Sequence, residues 1–417
     1  MLPMKGNMEG ATTIHEKQPR RSSLDLFKEF FKSEKAGGFV LIACTIVSLV
    51  LANTAFSESY TGFWKNYLDL SVGTVQLRYN LEHWVNDGLM AIFFLLVGLE
   101  IERELYVGEL SSIRNALLPI MAAVGGMLFP ALIHFFLNKG TPLQAGFGIP
   151  MATDIAFALG ILSLAGNKVP LALKIFLTAL AIIDDLGAIT VIALFYTKGF
   201  LAGYFFAALG IFALLFIAGK RKVYSLPFYL IGGVLMWYCM LKSGVHATIA
   251  GVLLAFAIPF NKKNEKKNPS YKLQHTLHYP VAFIILPIFA LANTAIVFPP
   301  NVGASLTTNN SIGIMAGLLL GKFIGIFLVA FLAVKAGIAL LPTAVTWQHI
   351  LGVAFLAGIG FTMSIFISNL AFTDAVTIIN SKISVLLASV VAACIGLGIL
   401  LTHKPVPVNA VTPEIST

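Results

Sequence analysis

Two adjacent carboxylates, Asp184 and Asp185, stand in the middle of the apolar run LTALAIIDDLGAITV. The 23 residues from Lys174 to Tyr196 reach across a bilayer core of about 30 Å at a rise of about 1.5 Å per residue, so both acids fall near mid-membrane. An ionised side chain at that depth costs on the order of 2.5 to 3.5 kcal/mol on insertion scales, and such residues mark ion and proton pathways. Two further ionisable residues lie in comparable runs: Asp154, behind Thr153, in GFGIPMATDIAFALG, and Lys322 in GLLLGKFIGIFL. Fully ionised, the four carry a net charge of −2, which protons, metal ions or helix ends must neutralise in a low dielectric.

Adjacent residues on a helix point about 100° apart, so Asp184 and Asp185 cannot share one ligand face. They suit different partners. Asp185 is expected to bind a cation with help from Asp154, the Thr153 hydroxyl and carbonyls freed by a helix break, while Asp184 pairs with Lys322. Oxygen ligands suit a small hard cation such as sodium or lithium. Buried acids beside a buried base titrate as a coupled set. A site that holds either protons or a metal ion, and opens to the two sides in turn, is an antiporter.

These groups need a membrane scaffold, and the composition supplies one. The 417 residues are 58% hydrophobic and 11% charged, with a mean hydropathy of +0.86, which excludes an ordinary soluble domain and indicates an all-α polytopic membrane protein. Twelve apolar spans are expected near 36–56, 84–102, 115–138, 144–165, 174–196, 201–219, 224–242, 244–260, 278–297, 311–334, 346–370 and 380–402. With the N-terminus inside, 21 of the 28 Lys and Arg lie on the inner side and 6 on the outer, which places both termini in the cytoplasm. The net charge of +9 therefore reflects topology, and no nucleic acid partner is implied. The organisation reads as a cytoplasmic segment 1–34, a single transporter domain 35–402 and a cytoplasmic tail 403–417.

Residues 1–34 have no apolar core typical of a cleaved signal peptide, and LDLFKEFFK within them is weakly amphipathic and suited to the membrane surface. Val75, Leu77, Tyr79 and Leu81 alternate with Gln76, Arg78 and Asn80, which predicts a short half-exposed strand in a hairpin turning near Gly73. Spans four and eleven contain GFGIPMATDIAFALG and LAGIGFTMSIFIS, with breakers near their centres. Broken backbone at that depth must be buried in protein or line a wet cavity. The two spans run in opposite directions, so spans three to five and ten to twelve pair as inverted repeats, with the site where the broken helices cross. Cys44, Cys239 and Cys394 lie in apolar runs and read as small hydrophobes.

Other titratable residues sit at the ends of the spans. Asp87, at the outer end of span two, reads as a helix N-cap or a point of ion exit. Glu100, Glu102, Arg103 and Glu104 end the same span inside as a solvated charge cluster or a place of ion access. His246, at the start of span eight, is a proton-relay candidate by its intrinsic titration range.

The ordered blocks WVNDGLMAIFFLLVGLEIERE, ATDIAFALG, ALAIIDDLGAI, LKSGVHATIAGV, GLLLGKFIGI and GIGFTMSIFI, spread between about residues 34 and 402, resemble the NhaA family of bacterial sodium/proton antiporters. The resemblance implies a twelve-span inner-membrane protein with interrupted, crossed helices four and eleven, an arrangement for which that family is itself a standing example. It implies electrogenic exchange, more protons entering than sodium ions leaving, with sodium or lithium and protons as the transported ions and no cofactor. By resemblance Asp185 and Asp184 are the essential pair, Thr153 and Asp154 belong to the crossing, and Lys322 is the basic partner. The stretch 70–81 resembles a hairpin through which two copies form a homodimer. A pH-sensing region would take in Glu100, Arg103, Glu104 and the start of span nine. The chain departs from the family pattern at Gln274, where an acid is usual, at Glu102, where a base is usual, and at Phe323, where a proline follows the lysine.

Two other readings compete. An intramembrane aspartyl protease needs two aspartates sharing one proton around a water, and Asp154 with Asp185 would serve, but the YD and GxGD pairing is missing and Lys322 would disturb the shared proton. A sodium-coupled symporter of an organic solute needs a larger polar or aromatic pocket, for which the sequence carries no signature.

Overall fold

The computed structural model describes residues 23–73, 75–197, 199–261 and 268–402. The N-terminal residues 1–22, the basic stretch 262–267 and the tail 403–417 lie outside the described residues, and with them most of the expected cytoplasmic segments. LDLFKEFFK is the start of α1 (Ser23–Ala52), with no break before the first span. α1 then meets α2 (Ser57–Lys65) at a bend of 114°, so the first span stops short of its expected end at 56.

A small antiparallel pair follows, β1 (Tyr67–Asp69) and β2 (Arg78–Asn80), with Leu68 opposite Tyr79. The chain reverses at Gly73, whose φ of 59° would strain any side chain, beside a bridge between Val72 and Val75. The hairpin turns where expected, but the strand ends at Asn80 and does not continue through Leu81. The Asn80 side chain accepts the N–H of His83 at 2.8 Å and caps the next helix.

That helix is α3 (Leu81–Tyr106), followed by α4 (Ile113–Leu137), α5 (Ile155–Leu164), α6 (Leu171–Phe195), α7 (Ala202–Lys220) and α8 (Leu226–Ser243). The chain continues with α9 (Ile249–Ala257), α10 (Pro269–Asn293), α11 (Asn309–Lys335), α12 (Trp347–Leu356), α13 (Phe361–Ala371) and α14 (Ala375–Thr402). Among the described residues eight helices are long and apolar enough to cross a membrane, and ten spans result if α1 with α2 and α12 with α13 each count as one. The protein is therefore a multi-pass helical membrane protein.

Two stretches expected as full spans hold only short helices, the 10 residues of α5 and the 9 of α9. Each falls short of the roughly 20 that a straight crossing needs. For α9 the cause is Gly244, at φ 83°, which ends α8 in the left-handed conformation and starts a turn where continuous helix was expected. For α5 it is the irregular run that carries Asp154.

α6, the helix of the paired aspartates, is the most buried of the full-length spans, and α7 the least, with Phe206 and Leu214 exposed. An exposed apolar face on a membrane helix is the face turned to lipid. α4 packs along α11 so closely that the backbones of Gly125 and Gly325 touch, and a Cβ on either would collide with the other's carbonyl. Among the described residues three spans carry a widened π turn: Trp84–Leu89 in α3, Val281–Ile285 in α10, and Gly317–Gly321 in α11, immediately before Lys322.

Candidate ion site

The chain before α5 passes through a 3-10 turn (Pro142–Gly148) and an extended stretch ending at Asp154, while α12 and α13 are joined across Ala357–Gly360 at 44°. These two irregular segments satisfy each other's backbone. The N–H of Asp154 donates to Ile359 O at 2.7 Å, Ser364 Oγ donates to Ile149 O at 2.6 Å, and Thr153 Oγ1 lies 2.8 Å from Ala357 O. Unwound backbone is thus tolerated here because its polar groups are paired inside protein.

Asp154, 2% exposed, caps α5 by accepting Phe157 N–H at 2.9 Å. Its other oxygen accepts Thr362 N–H at 3.0 Å and the Thr362 hydroxyl at 2.6 Å, in the first turn of α13. One carboxylate therefore sits at the N-terminal ends of two short helices, each equivalent to roughly half a positive charge, a setting that holds an anion in place.

Asp184, Thr153 and Lys322 are all fully buried. Lys322 Nζ forms an ion pair with Asp184 Oδ2 and donates to Thr153 Oγ1 at 2.9 Å. Thr153 Oγ1 is also 2.7 Å from Asp184 Oδ2. A hydroxyl has one hydrogen, so Thr153 donates either to Asp184 or to Ala357 at any moment. The sequence reading joined Thr153 and Asp154 to Asp185; in the structure the Thr153 hydroxyl serves Asp184 and Lys322, and both oxygens of Asp154 are engaged by helix ends.

Asp185 is 2% exposed, and its Oδ1, like Oδ1 of Asp184, is buried with no hydrogen-bond partner. A bare buried carboxylate oxygen is costly and requires a proton or a cation. Among the described residues no group of three or more His, Cys, Asp or Glu is arranged to hold a metal ion. An ion at Asp185 would therefore take most of its ligands from hydroxyl, carbonyl or water oxygens, with at most one further carboxylate.

The flanking candidates fall into two clusters. Asp87 is not an N-cap, a place Asn80 takes; it lies on the π turn of α3 between His83 Nε2 at 3.3 Å and His246 Nδ1 at 3.8 Å, with its carbonyl accepting Trp237 Nε1–H at 2.8 Å. At the other end of α3, Glu102 is buried and accepts the Ser270 hydroxyl at 3.0 Å, so it does not belong to a solvated cluster. Glu104 accepts the N–H of Glu109 at 3.0 Å, Glu100 and Arg103 are half-buried, and Gln274 is half-buried one turn beyond Ser270 on α10. Sequence reasoning missed Thr362, although it lies in the quoted block GIGFTMSIFI as the second residue after a break.

A buried acid–base pair and a second, unpaired acid at the meeting of two interrupted segments define an integral membrane protein of the ion-handling kind. The sequence profile described as Na+/H+ antiporter 1 matches residues 28–400. The chain is 58% identical over 391 residues to a Na(+)/H(+) antiporter NhaA of Cytophaga hutchinsonii, covering 94% of this chain and 99% of that one. It is 59% identical over 377 residues to the NhaA of Dechloromonas aromatica, covering 90% and 94%, and 59% identical over 371 residues to that of Flavobacterium psychrophilum, covering 89% and 94%. The chain belongs to the Na+/H+ antiporter 1 family, as the resemblance of its motifs implied.

Proposed function

We propose that this protein extrudes sodium, or lithium, in electrogenic exchange for protons across the bacterial inner membrane. The observation that carries the mechanism is the bare Oδ1 of Asp185 beside an Asp184 already neutralised by Lys322. Asp154 is balanced by two helix ends and Asp184 by the ammonium, so Asp185 needs one positive charge, which a proton or a sodium ion supplies. If sodium also draws Asp184 away, Lys322 loses its counter-ion and sheds a proton to the same side. Two protons then leave for each metal ion bound, which makes the exchange electrogenic.

The architecture that supports this reading has twelve crossings: the eight long helices, α1, the bent pair α12–α13, and two short elements, α5 with its preceding 3-10 turn and α9 with its turn. Spans three to five and ten to twelve form the inverted repeats, and the interrupted spans cross at Asp154. We take residues 35–402 as one transporter domain with both termini cytoplasmic, and the β1–β2 hairpin as the contact through which two copies pair. The antiporter names of the relatives set aside the protease and symporter readings.

Reconstitution into liposomes holding a pH dye tests the function. Added sodium is expected to move protons, and Asp185→Asn to abolish the movement while the protein stays folded. Undiminished sodium-driven proton movement in that variant would refute the assignment of the site.

A further inference from the structure

We propose that two side-chain contacts, Asn369 with Asn293 and Lys382 with Glu82, form a latch that holds two groups of helices together at the outer face and parts whenever the ion site opens there. This rests on the antiport reading and the orientation given above. Asp154, Asp184, Asp185 and Lys322 lie on or next to α5, α6 and α11, and Thr362 lies on α13. Their bonds to one another, Lys322 to Asp184 and Thr362 to Asp154, keep α4–α6 and α11–α14 together around the site. Access then changes by movement of that group against α1–α3 and α7–α10, the usual device of transporters built from repeats. Contacts that cross between the groups must give way at the end that opens.

Two such contacts lie at the same end. Asn369, third from the end of α13, donates Nδ2–H at 2.6 Å to Oδ1 of Asn293, the last residue of α10. Lys382 Nζ, on α14, lies 3.8 Å from Oε1 of Glu82, the second residue of α3. Asn293 links the two contacts by donating to Asn86 Oδ1 at 2.8 Å, one turn along α3 from Glu82. About one turn deeper, the Phe366 ring of α13 has its centre 5.5 Å from that of Phe94 on α3 and 6.4 Å from that of Phe289 on α10. An apolar contact across the same divide therefore lies beneath the polar one.

The chemistry suits a contact that opens rather than a permanent clamp. Asn293 is 1% exposed, and both its amide hydrogens and its oxygen are engaged, by Asn86 Oδ1, Phe289 O and Asn369. Water entering a parted cleft offers the same bonds, so amide contacts separate at a modest net cost. Lys382 is buried, yet its carboxylate partner is too far away for a strong hydrogen bond. Hydration of the ammonium on opening compensates for the attraction that is lost.

The test uses the full-length protein carrying Cys44→Ser, Cys239→Ser and Cys394→Ser, which removes the free thiols. A short, reducible bifunctional thiol reagent joining Asn293→Cys to Asn369→Cys should stop sodium-driven proton movement in liposomes, and a reductant should restore it. The same bridge between Asn86→Cys and Asn293→Cys, both within one group, should leave the movement running. Movement that persists through the first bridge, or that both bridges stop equally, would overturn the latch.

A second measurement needs no transport. Nitroxides attached through Val297→Cys and Val376→Cys, exposed positions on either side of the divide, should report a short and a long separation. Val297 is tied to the α1 side, because Asn53 bonds Ile296 O and Phe298 N–H at 2.8 Å each. Asn369→Ala and Glu82→Gln should each raise the ratio of long to short about fivefold, the worth of one hydrogen bond. A single separation unmoved by either variant would overturn the latch. That result reads the same whether or not sodium drives protons, so failure of the latch and failure of the antiport reading are told apart.

Discussion

Thr362 gives both its backbone N–H and its hydroxyl to one oxygen of Asp154, a residue 208 positions earlier in the chain. The pair joins the two interrupted segments at their point of contact. Thr362→Val keeps the shape and removes only the hydroxyl donor, leaving Asp154 with two backbone donors. A loss of about 1–2 kcal/mol in stability is expected, seen as a lower midpoint in thermal unfolding, with the apparent sodium affinity within about threefold of the original. A collapse of sodium affinity with stability unchanged would mean that Thr362 contacts the ion instead.

Exchange at Asp185 fixes the sign of the pH dependence. Protons and sodium compete, so apparent sodium affinity should fall as the pH falls, by about tenfold per unit for each proton displaced, and level off at high pH once the site is bare. Calorimetric titration in buffers of different ionisation enthalpy counts the protons released. Asp185→Asn should show neither sodium binding nor proton release, and sodium binding with no proton release in the unaltered protein would contradict the exchange.

Lys322 offers a second, separable prediction. Lys322→Gln strands Asp184 in the interior, a loss that costs about 3–5 kcal/mol while the carboxylate stays charged. Asp184 then takes a proton that it keeps while sodium binds, so Asp185 alone gives one up. Exchange in this variant should be slower and electrically neutral, read with a potential-sensitive dye. Sodium-driven potential of the original size would show that Lys322 carries none of the transported charge.

Asp374 gives a control outside the membrane site. Its carboxylate accepts Thr377 N–H at 2.9 Å and the Thr377 hydroxyl at 2.7 Å ahead of α14, and these bonds hold its pKa below the ordinary 3.8. A lowered folded-state pKa means the cap contributes fully above the unfolded value and is lost as the pH falls through the folded one. Asp374→Ala should therefore lower the unfolding midpoint at neutral pH and lose its effect well below pH 3.8. Equal effects at both pH values would count against the cap.

The acids and the lysine of the centre were legible in the sequence because ionisable residues in hydrocarbon have few other uses: Asp154, Asp184, Asp185 and Lys322 stand out from their neighbours by cost alone. Their partners were not. A threonine or serine in a membrane helix commonly satisfies its own backbone, so Thr362 carried no signal, and nothing local told that Thr153 would turn to Asp184. Glu102 looked solvated because it ends a span beside other charges, yet Ser270, 168 residues away, covers it. The crossing elements were recognisable as apolar stretches, but Gly244 and the run before Asp154 shorten two of the helices in ways that hydropathy does not register.

The π turn at Gly317–Gly321 bears on all of this. Such a turn holds one residue more than regular α-helix, which advances everything after it by about 100° around the axis relative to what lies before. Had α11 wound evenly from Asn309, its ammonium would face another quarter of the bundle, and Asp184 would have no cation to meet. Deleting a single residue between 317 and 321 would undo that rotation, so the electrical character of the centre depends on a local miscount in the winding of one helix.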